Sequence, residues 1–394
     1  MKTVAIIGKN FGDEGKGLVT ASLSSSCASR PLIVRHNGGA QAGHTVEDKQ
    51  KGTRFVHHQI GSGAEYGAPT LLTETFHPDL YQLGKEIAGF REMFRFCPAV
   101  CAEPEATVTL IDDVLVNMAL ETARGKSRHG SCGMGIQACC DRNAAGYGVT
   151  VGEIARAGEE QIADRLRRIR HDYVLPAAEA LSIGQSNPYY AMLRDDTVLD
   201  NYAEAVCAAA RQLTVIDADR DWLAQFDGIF FETGQGLLLD QDNLEYAPHL
   251  TASSTGVAES LCFLEKRGMT LDQAVYVTRP YVTRHGAGPL PLACARKDLP
   301  GVKPDRTNRA NPWQGRLRYA RHADPESFLQ PVLRDVRAAG IRPSLAITHL
   351  DETNHRMFFR DGDMSSEEFI ARISPECEAV FISEDHQHLR EVSR

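Results

Sequence analysis

The sequence lacks three features that would place it in a membrane, zinc-binding or fibrous class. No stretch approaches the roughly 18 apolar residues that a membrane-spanning helix needs, so we expect no membrane partner. The ten cysteines include no CxxC pair, and Cys97 and Cys101 have no second half at zinc spacing. The 33 glycines and 18 prolines show no period, which excludes a collagen-like chain.

Positive charge is also in the minority. With 43 Lys and Arg against 52 Asp and Glu, the formal net charge is −9, so we expect no nucleic-acid partner. A chain of 394 residues with 42% hydrophobic residues is long enough to bury a large core. Its first residues lack the apolar core and cleavage site of a secretion leader, so we expect reduced cysteines and a cytoplasmic location.

Short apolar runs alternate with helical stretches along the chain. Strands are predicted at 4–7, 31–35, 107–111, 228–231, 274–278 and 344–348, and helices at 18–23, 153–172 and 203–213. This alternation is typical of an α/β fold with a mostly parallel central sheet flanked by helices. We expect a single domain over residues 1–394, with a substrate-loop subdomain at 286–325.

The most informative segment is GKNFGDEGKG at positions 8–17, between a predicted strand and a predicted helix. Glycines at such a place let backbone N–H groups face an anion, and the helix dipole favours negative charge there. Lys16 adds a positive charge for a phosphate. The segment is not a Walker loop, because Gly17 stands where that loop has Ser or Thr. The alternative interpretation is a tight turn that carries surface charges.

A second glycine loop, HNGGAQAGHT at 36–45, also follows a predicted strand. Loops at the carboxyl ends of parallel strands open onto one crevice, so Asp13 and Lys16 are expected near Gln41 and His44. A carboxylate and an imidazole beside a bound phosphate suit acid–base chemistry. Asp13 is therefore either a proton acceptor or a Mg²⁺ ligand, whereas His44 alone also fits a structural role.

Together the two loops closely resemble the adenylosuccinate synthetase family, which has WGDEGKGK and GGxNAGHT at these places. Later blocks resemble further family motifs in the same order: GSCGMGI at 130–136, FETGQGLLLD at 231–240, TRHGAGPLP at 283–291 and ITHLD at 347–351. The resemblance covers nearly the whole chain and implies the family's fold, which is related to that of P-loop proteins.

The resemblance implies a C–N ligase of purine biosynthesis that joins IMP to L-aspartate, with GTP or ATP as co-substrate and Mg²⁺ as cofactor. The reaction passes through a 6-phosphoryl intermediate, and the enzyme is a homodimer that binds only small-molecule substrates. The alternative is a diverged paralogue that applies the same phosphoryl activation to a different purine nucleotide or amide, or to a different amino acid.

The resemblance also implies roles for individual residues. Asp13, His44 and Gln235 are catalytic, and Asp13 and the Gly43 carbonyl are Mg²⁺ ligands. The triphosphate is bound by Gly12, Asp13, Glu14, Gly15, Lys16, Gly17, Gly43, His44, Thr45, His349, Asp351 and Ser383. The acceptor nucleotide is bound by Asp13, Lys16, Gln41, Ser131, Cys132, Gln235 and Thr251. The amino acid is bound by Thr307, Asn308, Arg309, Arg316 and Arg318.

Two departures from the family pattern concern positive charge around the substrates. Residues 141–146 have no arginine at the position from which a neighbouring subunit contacts the acceptor phosphate, and Arg142 is the candidate substitute. The consecutive arginines of the family's aspartate loop, TTGRRRRTGW, are missing from TNRANPWQGR at 307–316. Because bidentate arginine suits carboxylates, Arg309, Arg316 and Arg318 are expected to act from other positions.

Overall fold

The structure is a computed structural model that describes residues 1–394 except 182, 184, 185, 309–313, 386, 393 and 394. Its strands are β1 (Lys2–Gly8), β2 (Pro31–Arg35), β3 (His44–Asp48), β4 (Thr53–His57), β5 (Thr70–Leu72), β6 (Val100–Ala102), β7 (Thr214–Val215), β8 (Gly228–Glu232), β9 (Gln273–Thr278), β10 (Val282–Arg284), β11 (Ala293–Cys294), β12 (Arg318–Ala320), β13 (Ser344–Ile347), β14 (Arg356–Phe359), β15 (Gly362–Ser365), β16 (Val380–Ile382) and β17 (Arg390–Glu391).

The α-helices alternate with these strands. They are α1 (Lys16–Cys27), α2 (Leu80–Phe94), α3 (Ile111–Arg124), α4 (Ile136–Ala144), α5 (Val151–Arg156), α6 (Glu159–Ile169), α7 (Leu175–Ala180), α8 (Pro188–Leu193), α9 (Thr197–Ala210), α10 (Arg220–Leu223), α11 (Ala258–Glu265), α12 (Gln330–Val336) and α13 (Ser366–Ile373). Among the residues that the structure describes, none of these helices is long and apolar enough to cross a membrane.

Ten strands form the central sheet, in the order β17-β16-β13-β9-β1-β8-β2-β5-β6-β7. Neighbouring strands are parallel except for β17, which runs antiparallel to β16. This sheet and its helices confirm the predicted α/β class. Smaller sheets flank it: the hairpin β3–β4, the hairpin β14–β15 and the three-stranded sheet β10-β12-β11.

The central strands are apolar on both faces because packed side chains cover both sides of the sheet. Ala5, Ile7 and Phe231 belong to one hydrophobic cluster, whereas Val4 and Ile6, their neighbours along β1, belong to another. This alternation is the period of two that a strand imposes. A parallel sheet covered on both faces therefore appears in the sequence as continuous apolar runs, such as GIFFE and QAVYVT.

Most of the predicted elements are present, with three corrections. The strand predicted at 107–111 is wrong, because α3 begins at Ile111 and the Asp113 carboxylate accepts the Leu110 N–H at 2.8 Å. The helix predicted at 153–172 is two helices, α5 and α6, which are separated where Gly158 has an extended backbone (φ −82°, ψ 162°). The helix predicted at 203–213 is the last part of α9, which begins at Thr197 and ends at Ala210.

The sheet brings five loops to one edge. Strands β1, β2, β8, β9 and β13 all end on the same side, since they are parallel. The two glycine loops follow β1 and β2, and the GQG segment at 234–236 follows β8. A crevice outside the carboxyl ends of the strands is the usual ligand site of such a sheet.

His322 makes the stability of this fold depend on pH. Its side chain is buried against Phe328 and Phe359, and its Nε2 lies 3.0 Å from the Arg279 carbonyl oxygen. Burial and the charge of Lys9 lower the pKa of His322 to about 3. The unfolded chain therefore binds a proton below about pH 6.5 that the folded chain rejects, so stability is lost as the pH falls.

We predict that His322→Gln reduces this loss, because glutamine does not titrate and can still donate to the Arg279 carbonyl. The difference in unfolding free energy between pH 7 and pH 5 should shrink by about 2 kcal/mol in urea titrations. His388→Gln is the control, because that side chain is 73% exposed, and it should leave the difference unchanged. An equal pH dependence in wild type and His322→Gln would contradict the prediction.

Candidate active site

A cleft of about 800 Å³ lies at the carboxyl edge of the central sheet. Most of the residues predicted from the sequence line it: Gly12, Asp13, Glu14, Gly15, Lys16, Gly17, Gln41, Gly43, His44, Thr45, Ser131, Cys132, Gln235, Thr251, Thr307, Asn308 and His349. Arg316, Arg318, Asp351 and Ser383 do not line the cleft, and Arg309 lies outside the described residues.

The first glycine loop presents Asp13 to the cleft in an unusual backbone conformation. Asp13 is left-handed, with φ 63°, between Gly12 at 94° and Gly15 at 91°. Few non-glycine residues adopt this conformation, and aspartate is among those that tolerate it best. The Asp13 carbonyl accepts a hydrogen bond from Arg279 Nε at 2.5 Å, and its carboxylate lies 3.9 Å from His285 Nε2. The carboxylate itself is 21% exposed and is accessible to a ligand.

Lys16 is held at the start of α1. Its Nζ donates to the Gln235 carbonyl at 2.6 Å and lies 3.9 Å from Glu14 Oε2. Burial lowers the pKa of Lys16, and the Glu14 carboxylate works against that shift. The ammonium group therefore joins the first glycine loop to the loop after β8, at a helix N-terminus that favours a phosphate.

His44 is anchored by two buried side chains through one ring nitrogen. Its Nδ1 lies 2.8 Å from Glu232 Oε1 and 3.0 Å from Arg35 NH1, and Arg35 also pairs with Glu232 at 3.1 Å. Both contacts use Nδ1, so Nε2 is the atom left to meet a ligand, whichever tautomer is present.

Burial and the contacts among His44, Glu232 and Arg35 determine which of these side chains are charged. Burial lowers the pKa of His44 to about 4, although the Glu232 carboxylate opposes this shift. Burial would raise the pKa of Glu232, but its contacts with His44 and Arg35 hold it well below its usual range. Glu232 is therefore a fixed anion, and a phosphate bound near Nε2 would supply the negative charge that favours a protonated His44.

Gly17 stands where a Walker loop has Ser or Thr, and close packing explains why no side chain fits at this position. A Cβ at this position would lie 2.9 Å from the Thr45 carbonyl oxygen and 3.0 Å from His44 Cβ. Real Cβ atoms do not approach backbone this closely, so α1 packs directly against the start of β3. The absence of a side chain at position 17 is what allows His44 to lie beside the phosphate loop.

The acceptor side of the cleft is tied together by Asn37. Its Oδ1 accepts the Gly234 N–H at 2.7 Å, and its Nδ2 donates to the Ser254 carbonyl at 2.8 Å. These bonds join the loop after β2 to the loop that carries Gln235, a residue with φ 63°. Gln41 Oε1 is buried without a hydrogen-bond partner among the described residues, so a ligand donor would satisfy it.

The opposite wall carries Ser131 and Cys132. The Ser131 hydroxyl is 3.0 Å from Asn117 Nδ2, from which it accepts a hydrogen bond. Burial raises the pKa of the Cys132 thiol, which favours a neutral hydrogen-bonding group over a nucleophilic thiolate.

The structure corrects the prediction for Arg142. Its guanidinium is fully buried and forms a bidentate pair with Asp113 at 2.9 Å. Its other donors bind the carbonyls of Tyr147 at 2.6 Å and Val108 at 2.8 Å. Arg142 therefore holds the fold, and its buried side chain is not among those that line the cleft.

The amino-acid loop is anchored through Thr307. Its hydroxyl is 2.9 Å from Thr45 Oγ1 and also accepts a hydrogen bond from Arg54. Arg316 is exposed, and Arg318 donates to the Gly288 carbonyl at 2.6 Å instead of facing the cleft. Among the described residues, the arginines that line the cleft are Arg54, Arg124, Arg279, Arg284 and Arg306.

The residues predicted to bind the base follow β13 and β16. His349 has φ 58° and lines the cleft, and its neighbour Leu350 donates its N–H to the Ser383 carbonyl at 3.4 Å. Asp351 Oδ1 is buried with no hydrogen-bond partner among the described residues. An acceptor in this state suits a base that presents N–H groups.

The donor set fits a magnesium ion bound together with phosphates. Within the described ranges no group of three or more His, Cys, Asp or Glu side chains could hold a metal alone. Mg²⁺ usually takes one or two carboxylates and completes its shell with phosphate oxygens and water. The Asp13 carboxylate and Gly43 line the same cleft as Lys16, so they are suitable partners for such an ion.

Sequence reasoning missed several residues of the site. Glu232 ends the buried strand GIFFE, and Arg279 directly follows β9. A charged residue directly after a buried parallel strand is a signal that would have found both, since such residues lie at the crevice.

A glycine loop and a helix N-terminus that meet at the carboxyl edge of a parallel sheet define a nucleotide-binding protein of the phosphoryl-transfer class. The chain belongs to the adenylosuccinate synthetase family, whose family model matches residues 5–303. Members of this family are C–N ligases.

Curated relatives agree with this assignment. The adenylosuccinate synthetase of Teredinibacter turnerae is 29% identical over 319 residues, which are 77% of this chain and 68% of the relative. That of Prochlorococcus marinus is 31% identical over 296 residues, which are 74% of this chain and 64% of the relative. The chain thus spans about two thirds of the length of these relatives. Their names do not favour the alternative of a diverged paralogue.

Solved structures show the same fold. The fully ligated adenylosuccinate synthetase of Plasmodium falciparum has a TM-score of 0.73 at 17% identity and covers 100% of both chains. The succinoaminodeoxyadenylate synthetase of cyanophage S-2L, bound to dGMP and dATP, has a TM-score of 0.62 at 17% identity. The match covers 99% of this chain and 95% of the phage enzyme.

We predict that Gly17→Ala disrupts the site, because its methyl group would push His44 away from the phosphate loop. Overpacking of this kind costs about 1–3 kcal/mol in unfolding free energy, which chemical denaturation measures. Nucleotide binding, measured by calorimetry, should weaken as well. Gly89→Ala is the matched control in α2, since nothing lies within 4 Å of the added methyl group. Wild-type stability and binding in Gly17→Ala would contradict the packing argument.

Proposed function

We propose that the protein is an adenylosuccinate synthetase: a Mg²⁺-dependent ligase that joins IMP and L-aspartate at the expense of GTP. The observation that carries the proposal is the convergence of Asp13, Lys16, His44 and Gln235 on one cleft from three different strand ends. A carboxylate, an ammonium and an imidazole that line one cleft support phosphoryl transfer to a substrate oxygen.

In the proposed reaction, Asp13 accepts the N1 proton of the hypoxanthine. The O6 atom then attacks the γ-phosphate, and GDP leaves. Lys16 and His44 Nε2 are positioned to neutralise the transferred group, and Glu232 keeps the imidazole in place. The aspartate amine next attacks C6 and displaces phosphate, which forms the C–N bond. Asp13 and the Gly43 carbonyl would hold Mg²⁺, which would neutralise charge on the triphosphate.

The preference for GTP over ATP rests on Asp351, which does not line the cleft itself but lies two residues after His349, which does. Its unpartnered buried oxygen suits the N1–H and N2–H₂ edge of guanine, which presents two donors side by side. The Ser383 carbonyl accepts the N–H of Leu350, the residue directly before Asp351, and so supports the position of Asp351. ATP remains the second candidate donor and is included in the test.

The amino acid is assigned to the segment that begins with Thr307 and Asn308. Arg54 and Arg306 lie beside this segment in the cleft and supply positive charge for the carboxylates, together with the predicted Arg309. Ser131, Cys132 and Thr251 are assigned to the acceptor nucleotide, because they line the same cleft as Gln41 and Gln235.

Three further assignments complete the proposal. We propose the homodimer from the family resemblance, the cytoplasmic location from the lack of a secretion leader, and the substrate-loop subdomain at 286–325 from the composition of that segment. The last of these contains β11, β12 and the segment that leads to Thr307. Size-exclusion chromatography with light scattering tests the dimer directly.

The test of function is product formation. Purified protein with Mg²⁺, IMP, aspartate and either GTP or ATP should yield adenylosuccinate, detected by mass spectrometry and by phosphate release. Asp13→Asn and His44→Asn should lower kcat by about 10²–10⁴-fold, because each removes a proton-transfer or charge-neutralising group.

Asp363→Asn is the matched control, since the Asp363 side chain is 22% exposed and does not line the cleft. It should keep wild-type activity. Absence of adenylosuccinate with both nucleotides would refute the proposal, and full turnover in Asp13→Asn would refute the assigned base.

A further inference from the structure

Arg279 connects two loops that are far apart in sequence. Its Nε donates to the Asp13 carbonyl at 2.5 Å, and its NH2 donates to Asp305 Oδ2 at 2.8 Å. Its NH1 donates to the Tyr281 hydroxyl at 3.1 Å. The Arg279 side chain is 6% exposed and that of Asp305 is 10% exposed, so the pair is largely buried in the wall of the cleft.

On one side, Arg279 fixes the peptide that follows Asp13. This carbonyl belongs to the left-handed residue whose carboxylate faces the cleft. The next carbonyl, of Glu14, accepts from the Thr348 hydroxyl at 2.6 Å. Two successive carbonyls are thus held, and the direction of the Asp13 side chain follows from them. Without the first bond, the strained backbone has one restraint fewer.

On the other side, Asp305 shapes the start of the amino-acid loop. Its Oδ1 accepts the N–H groups of Thr307 and Asn308, both at 2.9 Å, in a turn of the kind that aspartate favours. Thr307 in turn contacts Thr45, the neighbour of His44. Burial would raise the pKa of Asp305, but the Arg279 charge and these N–H groups hold it well below its usual range.

We propose that Arg279 and Asp305 are positioning residues that couple the binding of the amine donor to the orientation of Asp13. A buried charge that loses its partner is strongly destabilised, so the two loops are constrained to move together. Ordering of residues 305–308 around a bound amino acid therefore also orders the base that activates the acceptor. The identity of the amine donor as an amino acid rests on the proposed function.

The coupling predicts that a substitution of one residue of the pair affects the loop that the other residue holds. Asp305→Asn keeps an oxygen for the two N–H groups but loses the charge that holds Arg279. It should lower kcat by about 10- to 100-fold, since misplacement of a catalytic group by about 1 Å has an effect of this size. Arg279→Met should raise the KM for the amine donor, although Arg279 lies on the Asp13 side.

The double variant Arg279→Met/Asp305→Asn should be no worse than the poorer single variant, because both break one connection. If Arg279→Met does not fold, Arg279→Lys replaces it, since a single ammonium cannot serve both loops. A double variant whose loss equals the product of the two single losses would overturn the proposal.

A matched ion pair separates positioning from mere stability. Arg267 and Glu103 pair at a similar depth, with side chains 15% and 10% exposed, and neither lines the cleft. Glu103→Gln should lower the Tm to a similar extent as Asp305→Asn, with kcat and KM unchanged. Equal kinetic losses in both variants would overturn the proposal.

Hydrogen exchange gives a readout that does not require activity. In Asp305→Asn, amide exchange of the peptide that covers residues 9–17 should become faster, whereas Glu103→Gln should leave it unchanged. If the wild type forms no adenylosuccinate, the proposed function fails, yet this measurement still tests the connection. Unchanged exchange at 9–17 in Asp305→Asn would overturn the inference.

Discussion

The buried carboxylate of Glu232 is the fixed point around which the cleft is built. It lies at the end of β8 and pairs with Arg35 at the end of β2 and with His44 at the start of β3, and it accepts the Ser62 N–H at 3.0 Å. A buried charge depends on its ion-pair and hydrogen-bond partners for stability. The pairs with Arg35 and His44 therefore connect the loops after β2 and β8 and fix the orientation of the imidazole.

Sequence patterns predicted the strands correctly where the local apolar pattern agrees with the place of the strand in the sheet. Continuous apolar runs identified β1, β2, β8, β9 and β13, because a strand covered on both faces is apolar along most of its length. The two glycine loops were located because each follows one of these strands, β1 or β2, at its carboxyl end. The strand predicted at 107–111 failed because the apolar run ends in a helix cap, and the Leu110 N–H is satisfied by Asp113 instead of by a neighbouring strand.

Side-chain partners across the fold were harder to predict. Arg142 was offered as a phosphate ligand because it is near the expected position in the chain, but Asp113, 29 residues away, takes its guanidinium. Arg279 was overlooked because its partners, Asp13 and Asp305, are 266 and 26 residues distant. Such contacts depend on how loops without a periodic pattern pack together, so a single sequence does not indicate which of their side chains meet.

The position of β1 in the sheet has a consequence for how the chain is made. This strand is paired on one side with β8, which begins at Gly228, and on the other side with β9, which begins at Gln273. A ribosome that adds about 5–20 residues per second needs on the order of 10–50 s to supply them. Throughout that interval the apolar strand and the phosphate loop behind it have no lateral neighbours. The crevice at the end of β1 is thus completed only after β8 and β9 have been synthesised.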